Sequence, residues 1–311
     1  MNLNIKLSEE QMLERQRNIA RLKENELIQL FLNQNHLDAS FVEENSGALL
    51  QWLKSVSACR NCKGLKYCAQ KIRGKVSKLK IDDSGFLNEY YASCQYEQNR
   101  DKQLAHQSKF RFSHMSLNDY LIDLNDDSFL SAAKEKEYGL AYTQSVSSIP
   151  LNQGVYLYGN PGTGKSYLMK GICNYYAKSN KSVSFVQVPL LIQELKQFMT
   201  DNEYRQRVMN HLRYSDVLVL DDIGAESITQ WTRDEILLPI LDERMNKGMK
   251  TYFTSNYSME ELEQQYRLAN KPNNTIASLR ILERIRTLSK PVELSGKSRR
   301  CSIVKLNPIE K

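Results

Sequence analysis

Apolar residues along this 311-residue chain follow two rhythms. From Leu7 to Leu32, Met12, Ile19, Leu22, Leu27 and Leu30 stand among charged residues at helical spacing, which predicts one or two amphipathic helices. Beyond residue 150, short unbroken apolar runs predict strands instead: Gly154-Val155-Tyr156-Leu157-Tyr158, Val183–Val188, Asp216–Asp222 and Lys250–Asn256. Four consecutive apolar residues, Val217-Leu218-Val219-Leu220, predict a central parallel strand buried on both faces. Helical patterns lie between and around these runs: Asp126–Tyr142, the residues after Ser166, Gln187–Phe198 and Leu279–Arg286. The expected architecture is α/β with a parallel sheet, preceded by a small helical domain.

The stretch Gln95–Gln107 is dense in Gln, Lys, Arg, Asp and Asn and reads as a linker, with Phe110-Arg111-Phe112-Ser113 beginning the next module. The expected division is 1–95, a linker at 96–112, and 113–311. A hydrophobic fraction of 41% with 25% charged residues is ordinary for a globular chain and excludes a disordered one. No run approaches the ~20 apolar residues of a membrane span, and Met1–Arg17 has no apolar export signal. A cytoplasmic chain with reduced thiols is expected. Net charge +7 permits contact with nucleic acid without choosing DNA over RNA.

The chemistry begins at Gly159-Asn160-Pro161-Gly162-Thr163-Gly164-Lys165-Ser166, which matches G-x-x-x-x-G-K-[ST] between a predicted strand and a predicted helix. Such a loop turns backbone N–H groups inward, and the helix N-terminus adds partial positive charge, so a triphosphate fits. Lys165 then reaches the β- and γ-phosphates of ATP, and the Ser166 hydroxyl ligates Mg²⁺. At the end of the central strand, Asp221 helps hold the hydrated Mg²⁺ and Asp222 polarises the attacking water. Asn256, ending the next strand, senses the γ-phosphate or orients that water, with Ser255 as its alternative. In Leu279–Arg286, Arg284 is either part of a solvated basic face or a finger reaching a neighbouring subunit's γ-phosphate.

Four of the six cysteines, Cys59, Cys62, Cys68 and Cys94, lie in the amino-terminal part, the first three as C-x2-C-x5-C. In a reduced compartment this pattern suggests a tetrahedral structural Zn²⁺ site with no position left for a catalytic water; the alternative is a set of free or buried thiols. Strand-like stretches at Leu79–Ile81 and Glu89–Tyr91 separate Cys68 from Cys94. Cys173 and Cys301 read as packing residues.

The order of Gly159–Ser166, Asp221–Glu226, Thr254-Ser255-Asn256 and Arg280–Arg286 resembles AAA+ ATPases of the bacterial helicase-loader group. It is most similar to the DnaI type, with the DnaC type more distant. The resemblance covers the ATPase half closely and the amino-terminal half more loosely. It implies ATP hydrolysis at Asp221 and Asp222, Asn256 as sensor 1, Arg284 as the trans arginine, and Arg299 or Arg300 as sensor 2. It also implies a zinc-binding amino-terminal domain that grips the replicative ring helicase, contact with other primosome proteins, and self-association on ATP binding. A histidine is expected among the zinc ligands of relatives; Arg73–Leu79 has none, which moves the fourth role to Cys68. Loaders of this group add a helical element near Gln187–Phe198 for single-stranded DNA, where Phe198, Trp231 and Arg233 offer stacking and phosphate contacts; Phe198 and Trp231 read equally well as core residues. Two other tasks share the features: a transposase-helper ATPase of the IstB type, and an ATP-gated adaptor with little hydrolysis. No second substrate site or lid points to a small-molecule kinase.

Overall fold

Ser8 opens the first helix with a reciprocal cap: its hydroxyl accepts from the Gln11 N–H, and the Gln11 side chain accepts from the Ser8 N–H. Helices Glu9–Glu24 and Glu26–Gln34 follow, joined at Asn25, which ends one and caps the other. With Ala39–Glu44 and Ser46–Ser57 they bury Leu22, Ile28, Leu32, Phe41, Val42, Leu49 and Trp52 in one core. A hairpin closes this core: strand β1, Lys75–Ile81, pairs antiparallel with β2, Leu87–Ser93. Leu79, Ile81 and Leu87 pack on the helices, and the Trp52 indole donates to the Ser77 carbonyl at 3.1 Å.

The computed structural model describes residues 8–133, 135–267 and 273–299 and divides the chain into two compact units, Met1–Gln103 and Leu104–Lys311. That boundary falls within the expected linker at 96–112, which is built from regular elements rather than loop. Gln95–Leu104 is a helix, a 3-10 turn covers Ala105–Lys109, and Phe110–Ser113 is strand β3. Its polar composition belongs to a helix that buries no residue, a pattern that composition cannot separate from a loop.

In the second unit, β4 (Gly154–Tyr158), β5 (Val183–Gln187), β6 (Val217–Asp221), β7 (Lys250–Ser255) and β8 (Ser289–Glu293) join β3 in one parallel sheet of order β3-β5-β6-β7-β4-β8. Every residue of β6 is buried, as its apolar run predicts. Alternation along the strands feeds two cores: Val217 and Val219 face the helix Lys165–Lys178, while Leu218 and Leu220 face helices that include Val188–Gln197 and Asn273–Leu288. Strand β8 carries Pro291 and lies at the sheet edge, where a missing N–H is tolerated. The expected helical run Asp126–Tyr142 is two helices, Asp127–Ala132 and Lys136–Ser147. Among the described residues no helix is long and apolar enough to cross a membrane.

A candidate nucleotide site at the carboxyl edge of the sheet

The loop Gly159–Ser166 runs from the end of β4 into the helix Lys165–Lys178, as its sequence predicts. Two glycines make the path possible. Gly159 has φ 140°, and a Cβ there would stand 2.2 Å from the Leu294 carbonyl oxygen; Gly164 caps the helix at φ 104°. Lys165 is buried, and its ammonium donates to the carbonyls of Gly159 at 2.7 Å and Asn160 at 2.9 Å, and to Asn256 Oδ1 at 2.9 Å. The Thr163 hydroxyl donates to the Asn160 carbonyl, which fixes the loop from within. Phosphate-loop lysine and strand-end asparagine, 91 residues apart, thus meet directly.

Thr254 organises the two aspartates. Its hydroxyl donates to Asp221 Oδ1 at 2.6 Å and accepts from the Asp222 N–H at 2.9 Å. Asp221 is almost fully buried, and its second oxygen, Oδ2, makes no hydrogen bond. Burial pushes its carboxyl up to about 6; the Thr254 hydroxyl opposes the rise, Asp222 adds to it, and Ser166 and Lys170 pull it back. A buried carboxylate oxygen with no hydrogen-bond partner, beside the Ser166 hydroxyl, is a donor set that suits Mg²⁺. Asp222 adopts φ 56°, a left-handed conformation uncommon outside glycine that Asp tolerates better than most residues. The turn is over-determined: Ile223 N–H donates to the Thr254 carbonyl, Ala225 N–H to the Asp222 carbonyl, and Gly224 N–H to Glu226 Oε2 at 2.7 Å. Glu226 is itself buried and accepts from the Tyr266 hydroxyl at 2.5 Å.

Lys165, Ser166, Asp222 and Asn256 line one cleft of about 590 Å³, with Phe129, Tyr138, Tyr167 and Arg299 forming part of its wall. That volume suits a nucleotide. The aromatic wall and Thr254 escaped the sequence reading. Thr254 stands beside Ser255 and Asn256 in a run whose alternation carries no signal, since five of the six residues of β7 are buried. Of the two sensor 2 candidates, Arg299 reaches the cleft. Its guanidinium lies 4.4 Å from the Tyr138 ring centre and bonds Glu135 at 2.8 Å, and its N–H donates to the Gly162 carbonyl. Arg300 lies outside the described residues, as does Cys301.

Other expected site residues stand elsewhere. Ser255 is buried, and its hydroxyl donates to the Ile223 carbonyl, which leaves Asn256 as the strand-end group in the cleft. Arg284 does not line the cleft of its own chain; it bonds Asp242 at 2.7 Å and Glu283 at 3.0 Å. Arg233, a candidate DNA contact, is corrected: it is 2% exposed and donates to Asp234 and the Tyr266 carbonyl. Trp231 packs on the core, while Phe198 keeps an exposed ring against Tyr204. Cys173 is buried, as expected of a packing residue.

In the amino-terminal unit Cys59, Cys62, Cys68 and Cys94 are free thiols that line one cleft of about 170 Å³. The Gln70 amide donates to Cys59 Sγ at 3.1 Å and the Gly74 N–H to Cys68 Sγ at 3.5 Å. Backbone donors from Gly74 and Gln70 hold the Cys68 thiol below its ordinary range. The four donors thus share a cleft, and two already accept N–H bonds as thiolate ligands do. As they stand, no group of three or more His, Cys, Asp or Glu among the described residues is close enough to hold a metal ion.

The replicative helicase loader DnaI of Bacillus subtilis (strain 168) is 29% identical over 282 residues, covering 88% of this chain and 89% of that protein. A crystal structure of DnaI shares 34% sequence identity, covers 63% of this chain and 99% of the other, and superposes with a TM-score of 0.47. A crystal structure of the DnaC helicase loader shares 23%, covers 58% and 100%, and has a TM-score of 0.44. The profile of the family described as IstB-like ATP binding protein matches residues 90–305, more than half of the chain, and the chain therefore belongs to that family.

Proposed function

We propose that this chain is an ATP-dependent loader that delivers the replicative ring helicase onto single-stranded DNA when replication starts or restarts. The observation that carries this reading is the extent of the likeness to DnaI. A match of 282 residues is longer than the whole second unit, so it includes the amino-terminal unit as well as the ATPase.

ATP occupies the cleft, with Lys165 exchanging the carbonyls of Gly159 and Asn160 for phosphate oxygens. Ser166 and Asp221 would hold Mg²⁺, which would supply charge neutralisation to the phosphates. Asp222 orients a water and accepts its proton as the water oxygen bonds to the γ-phosphorus and ADP leaves. Asn256, bonded to Lys165, reports the γ-phosphate to strand β7, and Arg299 does so from the opposite wall. Arg284 acts on the site of a neighbouring copy after ATP-driven self-association, which requires it to leave Asp242. The left-handed Asp222 turn and the buried Glu226–Tyr266 pair beneath it support slow, switch-like turnover.

In the amino-terminal unit the four thiolates close on one structural Zn²⁺, supported by their shared cleft and by the N–H donors to Cys59 and Cys68. That unit contacts the helicase, and the ATPase unit contacts single-stranded DNA and other primosome proteins in the cytoplasm. The family description favours a second reading, a transposase-helper ATPase of the IstB type. The amino-terminal unit separates the two. Purified chain, the replicative helicase of the same cell and circular single-stranded DNA decide the matter: loading should require ATP and the full chain. Loading that is equally efficient without the chain, or no capture of the helicase with ATP present, overturns the loader reading.

A further inference from the structure

The excess positive charge of this chain has one origin. Between Asn45 and Ile81 stand nine Lys and Arg and no Asp or Glu, while the rest of the chain carries 34 basic residues against 36 acidic ones. A basic run is usually only a solvated face, but here aromatic rings share the surface. Phe86 is 69% exposed, Tyr67 64% and Tyr90 45%, and the Lys66 ammonium lies 5.7 Å from the Tyr67 ring centre.

The hairpin sorts these groups by strand alternation. Ser77, Leu79, Ile81, Leu87 and Glu89 share the face turned to the helices, where Glu89 accepts from the Ser77 hydroxyl at 2.6 Å. The opposite face carries Lys78 directly across from Tyr90 and Lys80 across from Asn88, all exposed. Asp82 follows on the same face at the tip, where the N–H groups of Ser84 and Phe86 and the Asn88 amide engage it and Lys80 is near enough to help lower its carboxyl. Two lysines against this one carboxylate leave the face positive, with Lys78 unopposed beside an aromatic ring.

We propose that this outer face of the β1–β2 hairpin is a contact for single-stranded nucleic acid, with Lys78 and Lys80 on phosphates and Tyr90 and Phe86 stacking on bases. Stacking needs bases free of a duplex, which is why the strand is single. Seven of the nine basic residues are lysines, a residue depleted from protein interfaces, so phosphate is the better match than an acidic protein surface. The inference goes beyond the loader reading, which assigns nucleic acid to the other unit, and does not depend on ATP hydrolysis.

The test uses the full chain and a fluorescein-labelled 30-residue oligothymidine, read by anisotropy between 50 and 200 mM NaCl. The double variant Lys78→Ala/Lys80→Ala should make the slope of log affinity against log salt shallower by about 1.4, two single-strand phosphate contacts. Tyr90→Ala should weaken binding about 5- to 100-fold with the salt slope unchanged, and Tyr90→Phe should restore it. Because the ATPase unit also contacts DNA in the proposed function, a 5-iodouracil oligonucleotide is cross-linked by light and the peptides mapped. Attachment within residues 86–92 is expected. Cross-links confined to residues 104–299 with unchanged salt slopes overturn the proposal. So does a variant that keeps oligonucleotide affinity but loses capture of the helicase, since the face would then serve a protein. A failed loading assay leaves the cross-link result intact and indicts the loader reading alone.

Discussion

Lys165, Asp221, Asp222 and Asn256 are held by bonds that the ATPase unit supplies from its own chain. Thr254 ties both aspartates, Asn256 ties Lys165, and the sheet buries the strands that carry them. The four thiols of the amino-terminal unit gather around a cleft and bond to nearby amide and backbone groups rather than to one another, over a core built from seven buried apolar side chains. In the nucleotide-binding unit the fold organises the site before any ligand arrives; in the amino-terminal unit the proposed metal would complete the fold, because its ligands are ordered together only around the ion. Ligand removal should therefore act on turnover in one unit and on folding in the other.

The largest effect expected from that contrast is metal loss. Cys62→Ser, or a strong chelator, should unfold the amino-terminal unit, because a structural Zn²⁺ contributes on the order of 10 kcal/mol to such domains. Residues 104–311 should keep their own melting transition. Metal analysis of freshly purified, reduced protein should find one zinc per chain. A zinc-free chain whose amino-terminal unit melts at the same temperature with and without chelator would put both units in the self-sufficient class.

Next comes Asp222, the proposed proton acceptor. Asp222→Asn keeps the turn and its N–H bond to Thr254 but removes the proton acceptor. ATP binding should persist while turnover falls about 10²- to 10⁴-fold, the usual contribution of a general base. Lys165→Ala should instead weaken nucleotide binding, since its charge-assisted bonds to phosphate are lost. Phosphate release measured with nucleotide affinity separates the two. Equal loss of affinity in both variants would mean that Asp222 serves binding rather than hydrolysis.

The frame of the ATPase site was legible because loop, strand end and strand end each carry a local signal. The glycines of the phosphate loop need positive φ, Val217–Leu220 is a buried strand in plain view, and Asn256 closes a β-rich run. What completes the site was not legible for a physical reason. Thr254 lies in a strand buried almost throughout, where period-two alternation is silent, and Glu135, Tyr138 and Arg299 come together only in the folded chain, more than 160 residues apart for the Glu135–Arg299 bond. The helical structure inside the expected linker was hidden on the opposite count. Gln95–Leu104 has helix-forming residues but no apolar stripe, so neither composition nor periodicity separates it from a loop.

A smaller effect sharpens the claim that the ATPase site is held ready at some cost. With chelator present and no nucleotide, the Asp221 carboxyl stands at about 6 against 3.8 for the free residue. The native state then binds this proton more tightly than the unfolded chain, so the contribution of Asp221 to stability is greatest below pH 4, falls as pH rises toward 6 and is flat above. The span is about 3 kcal/mol as an upper estimate. Asp221→Asn should remove this dependence and raise the melting temperature at pH 7, while abolishing the benefit of added Mg²⁺ and ATP. A wild-type unit whose stability rises between pH 4 and 6, with no change in that slope in the variant, would mean that burial does not strain this group.

The smallest stability change is expected at Arg284, where two roles can be told apart. Its guanidinium, 16% exposed, bonds the more open carboxylates of Asp242 and Glu283, so Arg284→Ala and Asp242→Asn should each cost about 1 kcal/mol, read as a small shift in melting temperature. Turnover should separate them. Arg284→Ala removes the group that would reach a neighbouring copy's γ-phosphate, so phosphate release should fall about 10³-fold or more without loss of ATP affinity. Asp242→Asn releases that group without deleting it, so turnover should hold or rise, most visibly at low protein concentration where self-association limits the rate. Mixing Arg284→Ala with Lys165→Ala completes the argument. The first retains a working cleft and the second a working arginine, so an active site forms only where one chain's Arg284 meets the other chain's nucleotide. Recovery of turnover in the mixture requires action across a subunit boundary. Its absence, with equal turnover loss in Arg284→Ala and Asp242→Asn, would make the pair a structural contact of the ATPase unit and nothing more.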